Sequence, residues 1–134
     1  MTIESYSDGS GQNSTGFGSA SFIIVKDNSV LHMGSTLLKD ITNNEAEYAA
    51  LTMAVKWLRD NTRGDLVCNV DSELVMKQVT GQYDTKQPGL VIARTLLREE
   101  LQGRKLTVQW VPRTNKFIQV ADRMNRKVVR EVSQ

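Results

Sequence analysis

The chain has one cysteine, Cys68, and one histidine, His32. A single thiol excludes an internal disulfide and fits a reducing compartment, so a cytoplasmic protein is expected. Two such ligands are too few for a zinc cluster, and any metal here must be held by oxygen. No apolar run approaches the roughly 20 residues that a membrane span needs. The opening residues, MTIESYSDGS, hold no basic region followed by an apolar one, so neither an export leader nor a membrane partner is expected. Internal repeats, linkers and low-complexity segments are also lacking.

What is there describes an ordinary globular domain. The 134 residues are 40% hydrophobic and 24% charged, enough for one real core, and a single domain over residues 1–134 is expected. The net charge of +2 is unevenly placed. Residues 1–67 carry 5 Lys/Arg against 8 Asp/Glu, whereas residues 68–134 carry 12 against 7. From residue 104 to 130 there are eight basic residues and one acid, Asp122. A stretch of that kind reads either as a footprint for a polyanion or as a solvated helix face.

The element order reads as βββαβααβα. Residues 2–7 alternate weakly as a strand ending at Asp8, and a Gly/Ser/Asn-rich turn follows. Residues 18–26 and 29–38 read as two strands joined by a tight turn at Asp27-Asn28. Residues 42–61 form a helix stopped near Gly64, and residues 65–70 are an apolar run ending at Asp71, as in a buried parallel strand. Helices are expected over 72–81 and 90–103, a last strand over 105–111 and a last helix from residue 120, with Asp122 opening it. This is an α/β domain with helices packed on a mixed sheet. Cys68, Trp57 and Trp110 read as core residues, and His32 as structural or exposed.

The helix over residues 42–61 raises the chemical question. Ala46, Ala49, Ala50, Met53, Ala54, Trp57 and Leu58 recur at the spacing of one apolar face, with Asn43 or Asn44 as the cap. At about 100° per residue, Glu47 falls roughly 20° from both Ala54 and Leu58, inside that face. A carboxylate aimed at a core must be paired, protonated or on a metal. Glu45 falls outside the face and reads as solvated. Asp8 and Asp71 sit at strand ends, where open α/β sheets place their sites, and Asp122 follows a strand and loop toward the same edge. Asp8 and Asp122 also read as turn and N-cap residues, and Asp71-Ser72-Glu73 as an N-cap. Four clustered acids repel one another unless cations compensate, and hard, oxygen-liganded Mg²⁺ suits them.

Six stretches then resemble one family, in order along nearly the whole chain. They are Ser7-Asp8-Gly9-Ser10, Thr42-Asn43-Asn44-Glu45-Ala46-Glu47-Tyr48, Val70-Asp71-Ser72-Glu73-Leu74-Val75, Gly81-Gln82-Tyr83, Trp110-Val111-Pro112-Arg113 and Ala121-Asp122-Arg123. The set resembles type 1 ribonuclease H, in its compact bacterial and archaeal form. The resemblance implies that family's fold, a five-stranded mixed sheet whose first three strands are antiparallel and whose first, fourth and fifth are parallel. It implies a monomeric endonuclease that cuts the RNA strand of RNA–DNA hybrids, leaving 5′-phosphate and 3′-hydroxyl ends. Asp8, Glu47, Asp71 and Asp122 match the family's catalytic acids, which hold two Mg²⁺ ions, with Mn²⁺ as the alternative, about 4 Å apart at the scissile phosphate. Asn13, Thr42, Asn43 and Asn44 match positions that touch the hybrid, where amides can pair with 2′-hydroxyls. Arg113 and Lys116 are the phosphate-contact candidates of the basic segment.

Three departures from the family pattern stand out. The loop from Asp8 to Gly16-Phe17-Gly18 is short and lacks proline, residues 81–89 offer Lys86 where many members insert a basic protrusion, and the loop before Asp122 is longer and has no histidine. Two other readings remain open: a catalytically silent hybrid- or protein-binding module on this fold, and a related DNA nuclease.

Overall fold

The computed structural model describes residues 2–133. Five strands form one sheet: β1 (Ile3–Ser10), β2 (Phe17–Lys26), β3 (Ser29–Lys39), β4 (Leu66–Val70) and β5 (Leu106–Trp110). Their order across the sheet is β3-β2-β1-β4-β5. β1, β2 and β3 are antiparallel neighbours, whereas β1–β4 and β4–β5 run parallel. The expected mixed sheet is therefore present. Four helices accompany it: α1 (Asn43–Asn61), α2 (Glu73–Val79), α3 (Pro88–Glu100) and α4 (Lys116–Ser133). Among the described residues no helix is long and apolar enough to cross a membrane.

The apolar run Phe22-Ile23-Ile24-Val25 explains the layering. In a strand, successive side chains point to opposite faces. Phe22 and Ile24 join Tyr48, Leu51, Val55, Leu58, Leu66, Cys68, Val70 and Leu97 in the larger core, under α1. Ile23 and Val25 join Phe117 and Ala121 in a smaller core under α4. β2 is thus covered on both faces, and its run is continuous rather than alternating. Cys68 is fully buried, as expected, and burial pushes its thiol up to about 12.

Local chemistry sets the boundaries, and some differ from expectation. Asp27 and Asn28 take positive φ values of 52° and 64°, the tight hairpin read from the sequence. β1 runs on to Ser10, so Asp8 lies inside the strand rather than closing it. α1 is capped by Thr42, not by Asn43 or Asn44. The Glu45 N–H donates to Thr42 Oγ1 (3.2 Å) and the Thr42 N–H to Glu45 Oε1 (3.2 Å). Two first-turn donors are satisfied reciprocally, and Glu45 has a structural task. α4 begins at Lys116, so residues 116–119 are helix rather than loop. Asn115 accounts for this: its Oδ1 accepts from the Phe117 N–H (2.9 Å) and the Ile118 N–H (3.2 Å). Asp122 consequently sits in the second turn.

Candidate active site

Three elements converge on one point. Asp8 lies on β1, opposite Ser21 of β2. The parallel register sets Ser7 beside Val70, so the next residue of each strand brings Asp71 alongside Asp8. Glu47 arrives from α1, and Gly9 permits its approach. A Cβ at Gly9 would overlap the Ala46 carbonyl and the Glu47 amide, so any side chain there pushes the helix off the strand. One carboxylate oxygen each from Asp8, Glu47 and Asp71 lies within 4.8 Å of the others.

These acids are held away from water. Asp8 is only 7% exposed, and the Asp71 side chain 4%. Burial raises the Asp8 carboxyl to about 7, reinforced by the charge of Asp71. Burial, then Asp8 and Asp71, push Glu47 up to about 10. Burial and mutual repulsion thus raise the proton affinity of the Asp8–Glu47 pair as a unit. Glu47 Oε2 and Asp71 Oδ1 are buried without a hydrogen-bond partner. Orphaned carboxylate oxygens are costly, and a cation is what they lack. The donor set is all oxygen, compact and acidic, and it fits a divalent cation such as Mg²⁺ or Mn²⁺.

The other expected residues are distributed around this centre. A cleft of about 470 Å³ is lined by Asp8, Glu47, Asp71 and Asp122, with Asn43, Asn44 and Arg113 at its walls. Asp122 is the outlying acid. It is 48% exposed, and Arg126, one turn on, holds it at 3.0 Å. It still adds to the upward pressure on Asp8. Arg113 is 89% exposed and reaches Asp71 Oδ2 with its Nε at 3.4 Å. The Asn43 Oδ1 accepts from the Gly11 N–H (2.6 Å), which ties the β1–β2 turn to α1. Thr42 spends its hydroxyl on the cap. Asn13 lies outside the main cleft, in a neighbouring groove with Arg126 and Arg130. Its Oδ1 accepts from the Thr15 N–H (2.8 Å), shaping the turn. The Lys116 ammonium sits over the Phe117 ring, 5.0 Å from its centroid, at the start of α4.

Two residues near the site escaped the sequence reading. Trp110 was expected in the core, but it is half exposed at the end of β5 and its indole N–H donates to the Asp71 carbonyl (3.2 Å). Alternation along the strand gave no warning, because β5 is an edge strand. Asn125 of α4 is fully buried beside Asp8. A signal for it existed. It follows Ala121 by four residues and Ile118 by seven, which places a polar amide on the buried face of the helix.

His32 is exposed and lies between Phe22 and Trp57, stacked on the indole at 5.2 Å. It is remote from the acids and has no place in the site.

Comparison with known proteins agrees with this fold. A family model described as reverse transcriptase-like matches residues 6–128. The chain is 34% identical over 102 residues to a ribonuclease HI of Halobacterium salinarum, covering 75% of this chain. It spans about half the length of that curated relative, 51%. The crystal structure of RNase H1 from the same archaeon superposes with a TM-score of 0.86 at 30% identity, over 96% of this chain and 98% of that one. LC11-RNase H1 in complex with an RNA/DNA hybrid gives 0.87 at 24% identity, covering 99% and 100%. The N-terminal RNase H domain of a Mycobacterium tuberculosis protein gives 0.84 at 22%, covering 99% and 98%. These last two speak to fold alone. A match to the family model over most of the chain, with the archaeal likeness end to end, makes this protein a member of the reverse transcriptase-like family with the type 1 ribonuclease H fold.

Proposed function

We propose that this single domain is a ribonuclease H that hydrolyses the RNA strand of RNA–DNA hybrids to 5′-phosphate and 3′-hydroxyl ends. One observation carries the reading: carboxylate oxygens from β1, α1 and the end of β4 lie within 4.8 Å of one another, and two of the acids keep a buried oxygen unpaired. A binding module gains nothing from such a costly cluster. Asp8, Glu47 and Asp71 would hold divalent cations, with Asp122 completing the set at the cleft's edge. Two Mg²⁺ ions, or Mn²⁺ in their place, supply charge neutralisation at the phosphodiester and acidify water for attack.

The chain's own residues supply the rest. A bound cation would favour the ionised form of Glu47 and so offset the burial and repulsion that raise its carboxyl. Asp122 is exposed enough to turn from Arg126 toward the cleft. Arg113 stands at the mouth, where a guanidinium can take a phosphate oxygen in bidentate fashion. Asn43 and Asn44 also line the cleft, and amides there can read 2′-hydroxyls, which DNA lacks. Thr42, Asn13 and Lys116 lie further out and contribute to holding the duplex. That a protein of the same fold is seen with an RNA/DNA hybrid bound supports the choice of substrate. The test uses strand-labelled RNA–DNA hybrid, RNA duplex and DNA duplex. Cutting should be confined to the RNA strand of the hybrid, with the stated ends. Comparable cutting of the DNA duplex would overturn the substrate reading.

A further inference from the structure

On the α4 side of the sheet, the bonds of one buried amide lead directly to the site. Asn125 is 1% exposed. Its Nδ2 donates to the Asp8 backbone carbonyl (2.9 Å), and lies 3.4 Å from Asp8 Oδ2. A backbone carbonyl can only accept, so the amide's orientation is fixed by that bond. Its Oδ1 then faces β2, where it accepts from Ser19 Oγ (2.7 Å) and Ser21 Oγ (2.6 Å). Ser21 in turn meets Ser35 Oγ on β3 at 2.9 Å. A relay of polar groups thus runs from β3 through β2 and α4 to the one acid of the cluster that lies within a strand. Every polar atom of the amide group is used.

We infer that Asn125 is a positioning residue, which locks the main chain and carboxylate of Asp8 in the geometry that binds the cation. The inference rests on the functional reading above. Packing alone does not explain Asn125. Its oxygen answers two buried serine hydroxyls, while its donor has a target of its own, the main chain and carboxylate of Asp8. Asp8 Oδ2 is the oxygen that Asn125 steadies, leaving the remaining lone pairs of the carboxylate for a ligand. Partners of this kind typically change metal affinity or turnover by about 10–100-fold when removed.

The test compares wild type, Asn125→Ala and Leu58→Ala, the last a core truncation at the far end of α1. Asn125→Leu stands in should Asn125→Ala not fold, since it fills the same volume without the donor. Mn²⁺ binding is measured by calorimetry on the protein without substrate, and kcat and KM are measured on hybrid at saturating Mg²⁺. Both are taken well below each variant's unfolding temperature. The Asn125 variants should bind Mn²⁺ at least about tenfold more weakly and lose about tenfold or more in kcat, with KM nearly unchanged. Leu58→Ala should lose stability while its folded fraction binds Mn²⁺ like wild type. Asn125 variants with wild-type Mn²⁺ affinity and kcat would overturn the inference and leave the nuclease reading standing. Wild type that binds no Mn²⁺ would remove both at once.

Discussion

Replacing Asp8 by asparagine should make the metal-free protein more stable, in a pH-dependent way. Burial, then the charge of Asp71, raises the Asp8 carboxyl from its ordinary 3.8 to about 7 in the folded chain. At about 1.4 kcal/mol per unit, that rise corresponds to about 4 kcal/mol. The sign follows from linkage. Below pH 4 the carboxyl is protonated in both states, and the full stability is present. Between 4 and 7 the unfolded chain has released its proton and the folded chain still holds it, so stability falls as pH rises and is lost by about pH 7. The substituted amide cannot ionise and escapes the loss. The difference between Asp8→Asn and wild type should therefore grow from near zero at pH 4 to about 4 kcal/mol at pH 8, on the order of 10 °C in Tm. Denaturation in EDTA across that range measures it. Saturating Mg²⁺ should close most of the gap, because a cation stabilises the charged form. A gap independent of pH, or one that Mg²⁺ leaves unchanged, would refute the electrostatic account of the site.

Glu47→Gln keeps the size and removes the charge, and should cost at least about a hundredfold in turnover, whereas Glu45→Gln should stay within a few fold because glutamine still serves the capping box. Equal losses, or a larger loss for Glu45, would refute the assignment of Glu47 to the centre. Thr42→Ala should cost about 1 kcal/mol in denaturation with little change in kcat. Gly9→Ala should cost about 3 kcal/mol and most of the activity, since its methyl lands on the α1 backbone that carries Glu47. Replacing Arg113 and Lys116 by alanine should raise KM and reduce the slope of log affinity against log salt by about one for each phosphate no longer neutralised. An unchanged slope would return these two cations to the solvated surface.

Glu47 and Asp71 were legible in the sequence because each breaks a pattern that physics makes strict. One is a charge within an apolar helical face, and the other is the first polar residue after a strand buried on both sides. Their meeting at Asp8 was not legible from periodicity, and depends on the β1–β4 register and on Gly9. The start of α4 was misplaced because Asp122 makes a plausible cap, while Asn115, the residue that does cap, stands behind Pro112-Arg113-Thr114 in what reads as loop. That shift moved Asp122 into the second turn and hid Asn125, which obeys the same rule that exposed Glu47. Trp110 was misjudged for a different reason. Strand alternation says which face a side chain takes, but not whether a helix covers that face at the sheet edge.

The most direct measurement is RNA-strand cleavage of a labelled hybrid, followed across a Mg²⁺ titration from EDTA upward, for wild type and Asp71→Asn side by side. The account predicts no cleavage in EDTA, cleavage that rises with Mg²⁺ in wild type, and a folded Asp71→Asn protein with kcat far below a tenth of wild type. Cleavage by wild type in EDTA, or Asp71→Asn retaining more than about a tenth of kcat, roughly 1.4 kcal/mol of barrier, would contradict a metal-dependent centre built on these acids.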